Sequence, residues 1–136
     1  MNNRLDQSFH FASTALSLRT QRQAILAANI ANADTPGYQA RDIPFSSSLK
    51  RALRGERSAS QSVSLYLTAR GHIAANASVT PPLPLMYRVP DQPSADGNTV
   101  DMDRERVTFA ENSLKYQTDL TYLSNQIKWM SSAIQG

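Results

Sequence analysis

Three closely spaced carboxylates, Asp101, Asp103 and Glu105, are the residues whose types and spacing could bind a divalent cation. Carboxylate oxygens are the ligands that Ca²⁺ and Mg²⁺ prefer. The same residues also open a long stretch of helical periodicity, where acidic side chains interact favourably with free backbone N–H groups and the helix dipole. Asp101 and Asp103 would point apart in a first helical turn. We therefore interpret the three residues as a helix start and predict no metal site.

Nucleophilic and cofactor chemistry have no residues to support them. The chain contains no cysteine and only two histidines, His10 and His72. His10 stands between Phe9 and Phe11 in a helical stretch, which favours a packing role over catalysis. No serine has the spacing of a nucleophile elbow, and neither common glycine-rich phosphate loop is present. We predict that the protein is not an enzyme and binds no cofactor.

A basic cluster, Lys50, Arg51, Arg54 and Arg57, is the one local departure from an otherwise interspersed charge pattern with a net charge of +3. A solvated basic segment is the favoured interpretation, since no aromatic residue is interleaved for base stacking. A contact with an acidic surface stays open. The corresponding alternative function is a soluble helical adaptor or a nucleic-acid-binding protein that uses residues 50–57.

The N-terminal segment, residues 1–35, has the apolar spacing of an amphipathic helix with steps of four and three. A second, weaker apolar stripe lies on another face, so this helix has apolar surface to bury on two sides. The predicted packing residues of the main stripe are Leu5, Phe9, Leu16, Leu26 and Ile30.

The C-terminal segment, residues 101–136, repeats the same spacing more regularly and predicts a second long helix. Its predicted packing residues are Phe109, Tyr116, Leu120, Leu123, Ile127, Met130 and Ile134. Tyr122 and Trp129 fall outside this stripe and form an aromatic second face. Two long apolar helices from opposite ends of one chain most simply pack against each other.

The middle of the chain, residues 36–100, contains all seven prolines and four of the five glycines. Alternating residues around Val63, Leu65 and Leu67 favour one short strand, and Asp96-Gly97-Asn98 favours a turn. The predicted fold is mainly α, with long N- and C-terminal helices paired as a coiled-coil-like rod domain and joined by an extended irregular middle with a short β element. No apolar run is long enough to span a bilayer, and the first residues lack the pattern of a cleaved secretory signal.

The stretch ANIANADTPGY, residues 28–38, ends the first helix abruptly. Thr35 precedes a proline and is pushed towards extended geometry, while Pro36-Gly37 suits the two central positions of a type II turn. Asn29 and Asn32 are unfavourable choices within a helix, so we expect their side chains to hydrogen-bond to backbone or to another subunit.

This stretch closely resembles the N-terminal signature of the bacterial flagellar rod and hook proteins, and the run from Val100 to Met130 is similar to a short member from the proximal rod. The resemblance implies an assembly and turn motif. Its residues are Asn29, Asn32, Thr35, Pro36, Gly37, Tyr38 and Phe45. The resemblance implies a structural subunit whose terminal helices pair in an inner coiled-coil domain. It further implies that Pro36-Gly37 redirects the chain into an outer loop that Tyr38 and Phe45 anchor.

The same resemblance implies the partners and the location of the protein. Subunits of this kind assemble helically around the export channel and transmit torque. The implied partners are copies of the chain, other rod proteins and the adaptor between the MS ring or export gate and the rod base, but not nucleic acid. The implied location is the periplasmic rod of the flagellar basal body, reached through the flagellar type III export apparatus without a cleaved signal and without direct membrane insertion.

Overall fold

A computed structural model describes residues 2–54, 84–92 and 94–136 of the chain. The elements follow in the order α1 (Asn2–Ala31), β1 (Arg41–Asp42), α2 (Phe45–Leu53), β2 (Met86–Tyr87) and α3 (Met102–Gln135). The predicted mainly helical fold, with long terminal helices and a short β element between them, is confirmed. The strand predicted around residues 63–67 lies outside the described residues.

The two long helices form an antiparallel hairpin. Asn29 near the end of α1 contacts Glu105 in the first turn of α3. At the opposite end, Gln126 of α3 donates a hydrogen bond of 2.6 Å to Ser8 of α1. The sum of the paired residue numbers is nearly constant, so the helices keep one register over most of their length. The start of α1 and the end of α3 consequently lie at the same end of the hairpin, which we call the terminal end (residues 2–10 and 123–136).

The start of α3 follows from its sequence. Asp101 has extended backbone geometry, and its side chain accepts hydrogen bonds from the backbone N–H groups of Asp103 and Arg104 at 3.0 and 3.2 Å. An N-terminal cap of this kind satisfies backbone donors that have no partner within the helix. Asp103 and Glu105 place further negative charge in the first turn, which suits the helix dipole. The acidic residues therefore begin a helix, as predicted.

The middle of the chain packs back onto α1. The helix α2 contacts α1, and Ala15 and Leu18 of α1 are buried. The strands β1 and β2 pair in antiparallel fashion, with Arg41 opposite Tyr87 and Asp42 opposite Met86. The middle thus packs against α1 through α2 and β1, while Phe11 of α1 stays exposed.

The interior of the described part is small and unusually polar. The buried apolar residues are Ala12, Ala15, Leu18, Leu26, Ala40 and Ile43. The buried polar residues are Asn29, Ser48, Asn98, Glu105 and Asn112. None of the described helices is both long enough and apolar enough to cross a membrane.

Candidate assembly site

At one end of the hairpin, α1 ends and α3 begins. We call this region the junction (residues 29–43, 86–88 and 96–105), and Asn29 lies at its centre. The side chain is fully buried. Its amide donates to Arg41 O at 2.7 Å and to Glu105 Oε2 at 3.3 Å. Its oxygen accepts from the Tyr38 hydroxyl at 3.2 Å and from Arg41 N–H at 3.1 Å. Every hydrogen-bonding position of the amide is therefore used, which offsets the low helix propensity of asparagine.

Asn32 acts locally at the end of α1. Its amide donates to Ala28 O at 2.8 Å, one turn back, and its oxygen accepts a hydrogen bond from Thr35 Oγ1 at 3.2 Å. The two asparagines of the ANIAN stretch thus have different roles. Asn29 joins distant segments of the chain, whereas Asn32 closes the last turn of its own helix.

The helix α1 ends at Ala31, before the predicted boundary at residue 35, and the Pro-Gly turn that follows residues 32–34 faces a second turn. Gly37 has φ of 71°, and the Tyr38 N–H donates to Thr35 O at 3.2 Å, which is the geometry that Pro36-Gly37 favours. The Gly37 N–H then donates to Asp96 O at 2.9 Å. Gly97, with φ of 77°, lies so close that a Cβ built on it would stand 3.8 Å from the Gly37 Cα. Two left-handed glycines therefore let two turns pack backbone to backbone.

Asn98 fastens these turns to α1. Its buried amide donates to the carbonyl oxygens of Asn32, Ala33 and Thr35 at 3.1, 2.8 and 2.9 Å. Its own oxygen accepts from Val100 N–H at 2.8 Å. Carbonyl groups beyond the last helical turn have no partner within the helix, so a side chain from a distant segment caps them. The sequence indicated only a turn here.

An ion-pair network closes the other side of the junction. Arg22 binds both carboxylate oxygens of Asp42 at 2.9 Å, and Arg88 binds Asp42 Oδ2 at 2.7 Å. Arg88 also pairs with Glu105, which is buried and hydrogen-bonded to Asn29. The network links α1, β1 and α3 through Arg88, the residue that follows β2. A buried carboxylate with two such partners fixes the geometry of the segments that carry it, because losing one partner leaves an uncompensated charge.

The ionisation of Asp42 reflects this balance. Burial raises the pKa of the carboxyl group, but the hydrogen bonds from Arg22 and Arg88 outweigh it, so the pKa lies below its ordinary value of 3.8. The Arg22 pKa is raised in turn, chiefly by its hydrogen bond to Asp42. Both groups are therefore charged at neutral pH.

Phe45 begins α2 and lies against α1. The guanidinium carbon of Arg19 stands 4.3 Å from the centre of the Phe45 ring, within the range of a cation–π contact. Arg19 also forms an ion pair with Asp119 of α3. Phe45 thus contacts Arg19, which connects the two long helices, and Tyr38 hydrogen-bonds Asn29. Both aromatic residues of the motif therefore contact side chains of α1.

Polar contacts connect α1 and α3 along the hairpin. The buried Asn112 amide donates to Arg19 O at 3.0 Å and to Gln23 Oε1 at 2.6 Å. Gln23 in turn donates to Ser113 Oγ at 2.6 Å. On α1 these contacts involve Arg19 and Gln23, two polar residues between Leu16 and Leu26 of the predicted apolar spacing. The apolar spacing predicts which helices pair, and the asparagine and glutamine residues fix where along each other they pair.

The predicted helix-packing residues have very different exposures. Leu26 is fully buried. The partly buried ones are Phe9, Leu16, Ile30, Phe109, Tyr116, Leu123 and Met130. The exposed ones are Leu5, Leu120, Ile127 and Ile134. Exposure therefore increases towards the terminal end.

A second apolar stripe runs along the side of α3 that faces away from α1. Its members are Val107, Leu114, Tyr122 and Trp129, all exposed. Steps of seven, eight and seven residues place them on one helical face. We call this face the outer stripe. The exposed ion pair of Glu111 and Lys115 also lies on this side of α3, between Val107 and Tyr122. Large exposed apolar side chains that repeat along one helical face make this side of α3 a candidate interaction site.

Comparison with known proteins decides the family. Residues 9–39 match the family described as Flagella basal body rod protein. The chain is 60% identical to the flagellar basal body rod protein FlgB of Salmonella typhimurium, over 100% of this chain and 99% of that protein. It is also 60% identical to FlgB of Yersinia enterocolitica and 40% identical to FlgB of Buchnera aphidicola, over at least 98% of each chain. The chain belongs to the flagellar basal body rod protein family.

Family membership accounts for the chemistry of the molecule. A rod protein is a structural subunit of the flagellar basal body, and that is the function of this chain. The adaptor or nucleic-acid-binding alternative has no support among the relatives. The family match at residues 9–39 covers most of α1 and the whole Pro-Gly turn, which includes Asn29, Asn32 and Tyr38. The region that characterises the rod family is therefore also the region that builds one side of the junction.

The remaining candidate chemistry is placed as follows. Lys50 and Arg51 lie in the last turn of α2, where basic residues suit the helix dipole, and Arg54 follows as its C-terminal cap. Arg57 lies outside the described residues. Within those residues, no three potential metal ligands come together.

Proposed function

We propose that this rod subunit assembles with copies of itself and with other rod proteins through the outer stripe of α3 and the terminal end of the hairpin. The observation that carries the proposal is the outer stripe itself, whose Leu114 and Trp129 side chains are 66% and 73% exposed. Burying apolar side chains of this size is the main favourable term in protein association. A contact between unlike surfaces that does not close on itself would extend the assembly into a helical rod.

The junction would serve the assembly by fixing the shape of each subunit. Hydrogen bonds are directional, and the fully used amide of Asn29 allows one arrangement of α1, α3 and the residue 41 backbone. Subunits of one shape are needed for a regular helical lattice. A stiff helical hairpin can also transmit torque along its axis, because side-chain contacts link α1 and α3 along its length.

The finer location and partners belong to the same proposal. We place the subunit in the proximal part of the periplasmic rod, around the export channel and in contact with the adaptor at the rod base. Export would occur through the flagellar type III apparatus without cleavage of a signal. The resemblance of residues 28–38 to the rod signature and the identity to FlgB proteins over the whole chain support this placement.

A single substitution in the outer stripe tests the proposal. Leu114→Asp places a charge on an exposed apolar surface, so the isolated chain should keep its helicity, whereas the bacterium should lose swimming and its basal bodies should lack the rod. Ser17→Asp is the matched control, because it adds the same charge to an exposed helical position outside the stripe.

The readouts are circular dichroism of the purified chain, swimming in soft agar, and quantitative mass spectrometry of purified basal bodies. Wild-type peptides should co-purify in a fixed ratio to the ring proteins. Absence of the wild-type chain from intact basal bodies would rule out the rod assignment. Normal swimming of Leu114→Asp would leave the rod assignment intact and remove the outer stripe from it.

A further inference from the structure

A groove on the flank of the hairpin is the starting point of a more specific inference, which rests on the proposed function. Its volume is about 370 Å³, and it lies between α1 and α3 near their midpoints. No charged side chain lines it. The lining residues are Thr20, Gln23, Ser113, Tyr116, Gln117 and Leu120.

Trp129 offers a side chain that fits this groove. It is the only tryptophan of the chain, it is 73% exposed, and it belongs to the outer stripe. The indole ring is mostly apolar and has one N–H group that needs an acceptor when it is buried. Tyr116 and Gln117 line the groove, and each side chain carries an oxygen of a type that can accept such a hydrogen bond.

The Trp129 that enters the groove must come from another copy. Trp129 and Leu120 share the continuous helix α3, nine residues or roughly 14 Å apart at ~1.5 Å per residue. They also lie on different faces of that helix, since the outer stripe points away from α1 and the groove opens beside α1. A rigid helix cannot fold back to bring its own Trp129 into the groove.

Charge and area favour a second copy as the occupant. Neither the groove lining nor the indole ring of Trp129 carries a formal charge, so insertion of the ring buries no unpaired ion. The exposed parts of the outer stripe amount to an area on the order of 400 Å². This is about half of the ~800 Å² that each partner buries in a stable interface. The polar rim of two helices in contact can supply the remainder.

We propose that the groove between α1 and α3 receives Trp129 from a second copy of this chain. The contact joins two unlike surfaces, so each copy keeps one free groove and one free Trp129 after pairing. Such a head-to-tail contact continues from subunit to subunit and does not close into a dimer. The surface that receives the outer stripe is therefore the groove of another copy of the same chain.

Fluorescence of Trp129 tests the proposal directly, because no other tryptophan contributes. Leu120→Lys blocks the groove at a side chain that is already half exposed, and Trp129→Ala removes the inserted ring. Thr20→Lys blocks the groove from α1 and serves as a second variant if Leu120→Lys changes the helicity. Ser17→Asp, which lies outside the groove and the stripe, is the control.

Raising the concentration of the wild-type chain and of Ser17→Asp should shift the emission to shorter wavelength. The groove-blocked chain alone should keep the emission of an exposed indole, with association weakened roughly thirtyfold, as for a central interface residue. Adding Trp129→Ala, which is silent but has an open groove, should restore the shift. Only a contact between unlike surfaces allows two defective chains to complement each other.

Several results would overturn the inference. They are an unshifted emission of the wild-type chain at all concentrations, a shift that appears only when another rod protein is added, and failure of the two variants to complement each other. The amount of each chain in purified basal bodies distinguishes a failure of the groove assignment from a failure of the proposed function. If wild-type and Leu120→Lys chains enter basal bodies in equal ratio, the groove assignment is wrong and the rod function stands. If the wild-type chain is itself absent, the proposed function is wrong.

Discussion

The junction and the terminal end of the same hairpin differ in which side chains they bury and which they expose. At the junction, Asn29, Asn98 and Glu105 are buried, and their side chains are engaged in hydrogen bonds to distant parts of the chain. From Ser113 to the end of α3 no residue is buried, and Ile134 is 86% exposed. The junction thus buries polar side chains that hydrogen-bond within the chain, and the terminal end exposes apolar side chains to solvent.

This contrast separates two functions of side chains. Hydrogen bonds depend on direction and fix one geometry, and burial of apolar surface adds free energy without choosing a direction. The junction uses the first kind to define the shape of a subunit. The terminal end and the outer stripe keep the second kind available for neighbours, which agrees with the requirement that a rod subunit be complete only in its assembly.

Asn29→Ala is expected to break the junction most severely. It removes four hydrogen bonds at once and leaves the buried Glu105, the Tyr38 hydroxyl and the Arg41 backbone groups without this partner. We expect the free energy of unfolding to fall by about 3 kcal/mol, as for several buried polar groups that lose a partner together. Urea denaturation of the purified chain at pH 7 measures it.

Asn125→Ala is the control for that measurement, since Asn125 is an exposed asparagine near the terminal end of α3. Its free energy of unfolding should stay within about 0.5 kcal/mol of the wild-type value. Equal losses for the two substitutions would mean that burial and hydrogen bonding at the junction do not distinguish it from the terminal end.

Gly37→Val should have the next largest effect. Gly37 has φ of 71°, and nothing lies within 4 Å of the position that a Cβ would take there, so the cost comes from backbone conformation and not from a clash. A β-branched residue in this region costs about 2 kcal/mol, whereas asparagine tolerates it. Gly37→Asn should therefore lose less than half as much in the same denaturation experiment. Equal losses for Val and Asn would show that the space around the turn matters and not its φ.

The ion-pair network predicts a smaller loss of stability in acid. The Asp42 pKa is lower in the folded chain than its ordinary value of 3.8, so folding favours the ionised form. The stabilisation is therefore complete above about pH 4 and is lost as the pH falls through the folded-state pKa. The effect is modest because the burial of Asp42 opposes the gain from Arg22 and Arg88.

Comparing the wild-type chain with Asp42→Asn isolates this contribution. Thermal unfolding of both chains should be measured between about pH 6 and about pH 3, the range in which carboxyl groups ordinarily titrate. The melting temperature of the wild type should fall more steeply with falling pH than that of Asp42→Asn. Parallel declines would assign the acid sensitivity to other carboxyl groups, among them the exposed Asp96 and Glu111, whose pKa values are also lowered.

The sequence predicted the two long helices better than the segments that connect them, since neither α2 nor the strand pair at residues 41–42 and 86–87 was predicted at its place. The cap at Asp101 and the Pro-Gly turn are local signals, and each depends on residues within four positions. Asn29 could be singled out because asparagine is unfavourable within a helix. Its partner Glu105 lies 76 positions away, and that pairing exists only after the two helices take their register.

Asn98 and Asn112 show why part of the polar interior could not be predicted from the sequence. Asn98 stands in a turn, where asparagine needs no special explanation, and its capping of residues 32–35 depends on two turns meeting in space. Asn112 lies within the regular apolar spacing of α3, which draws attention to its neighbours. A polar residue close to an apolar stripe is the one signal that could have indicated a buried amide.

The smallest expected effect is at the terminal end and completes the comparison. Ile134→Ser removes a large apolar side chain, yet 86% of that side chain is already in water, so the free energy of unfolding of the isolated chain should change by less than about 0.5 kcal/mol. Leu26→Ala, at a fully buried position of α1, should cost about 3 kcal/mol in the same experiment. If Ile134→Ser nevertheless reduces the content of the chain in basal bodies, the exposed apolar surface of the terminal end acts only in the assembly. If it costs the isolated chain as much as Leu26→Ala does, the terminal end already buries its apolar residues before assembly, and the contrast with the junction fails.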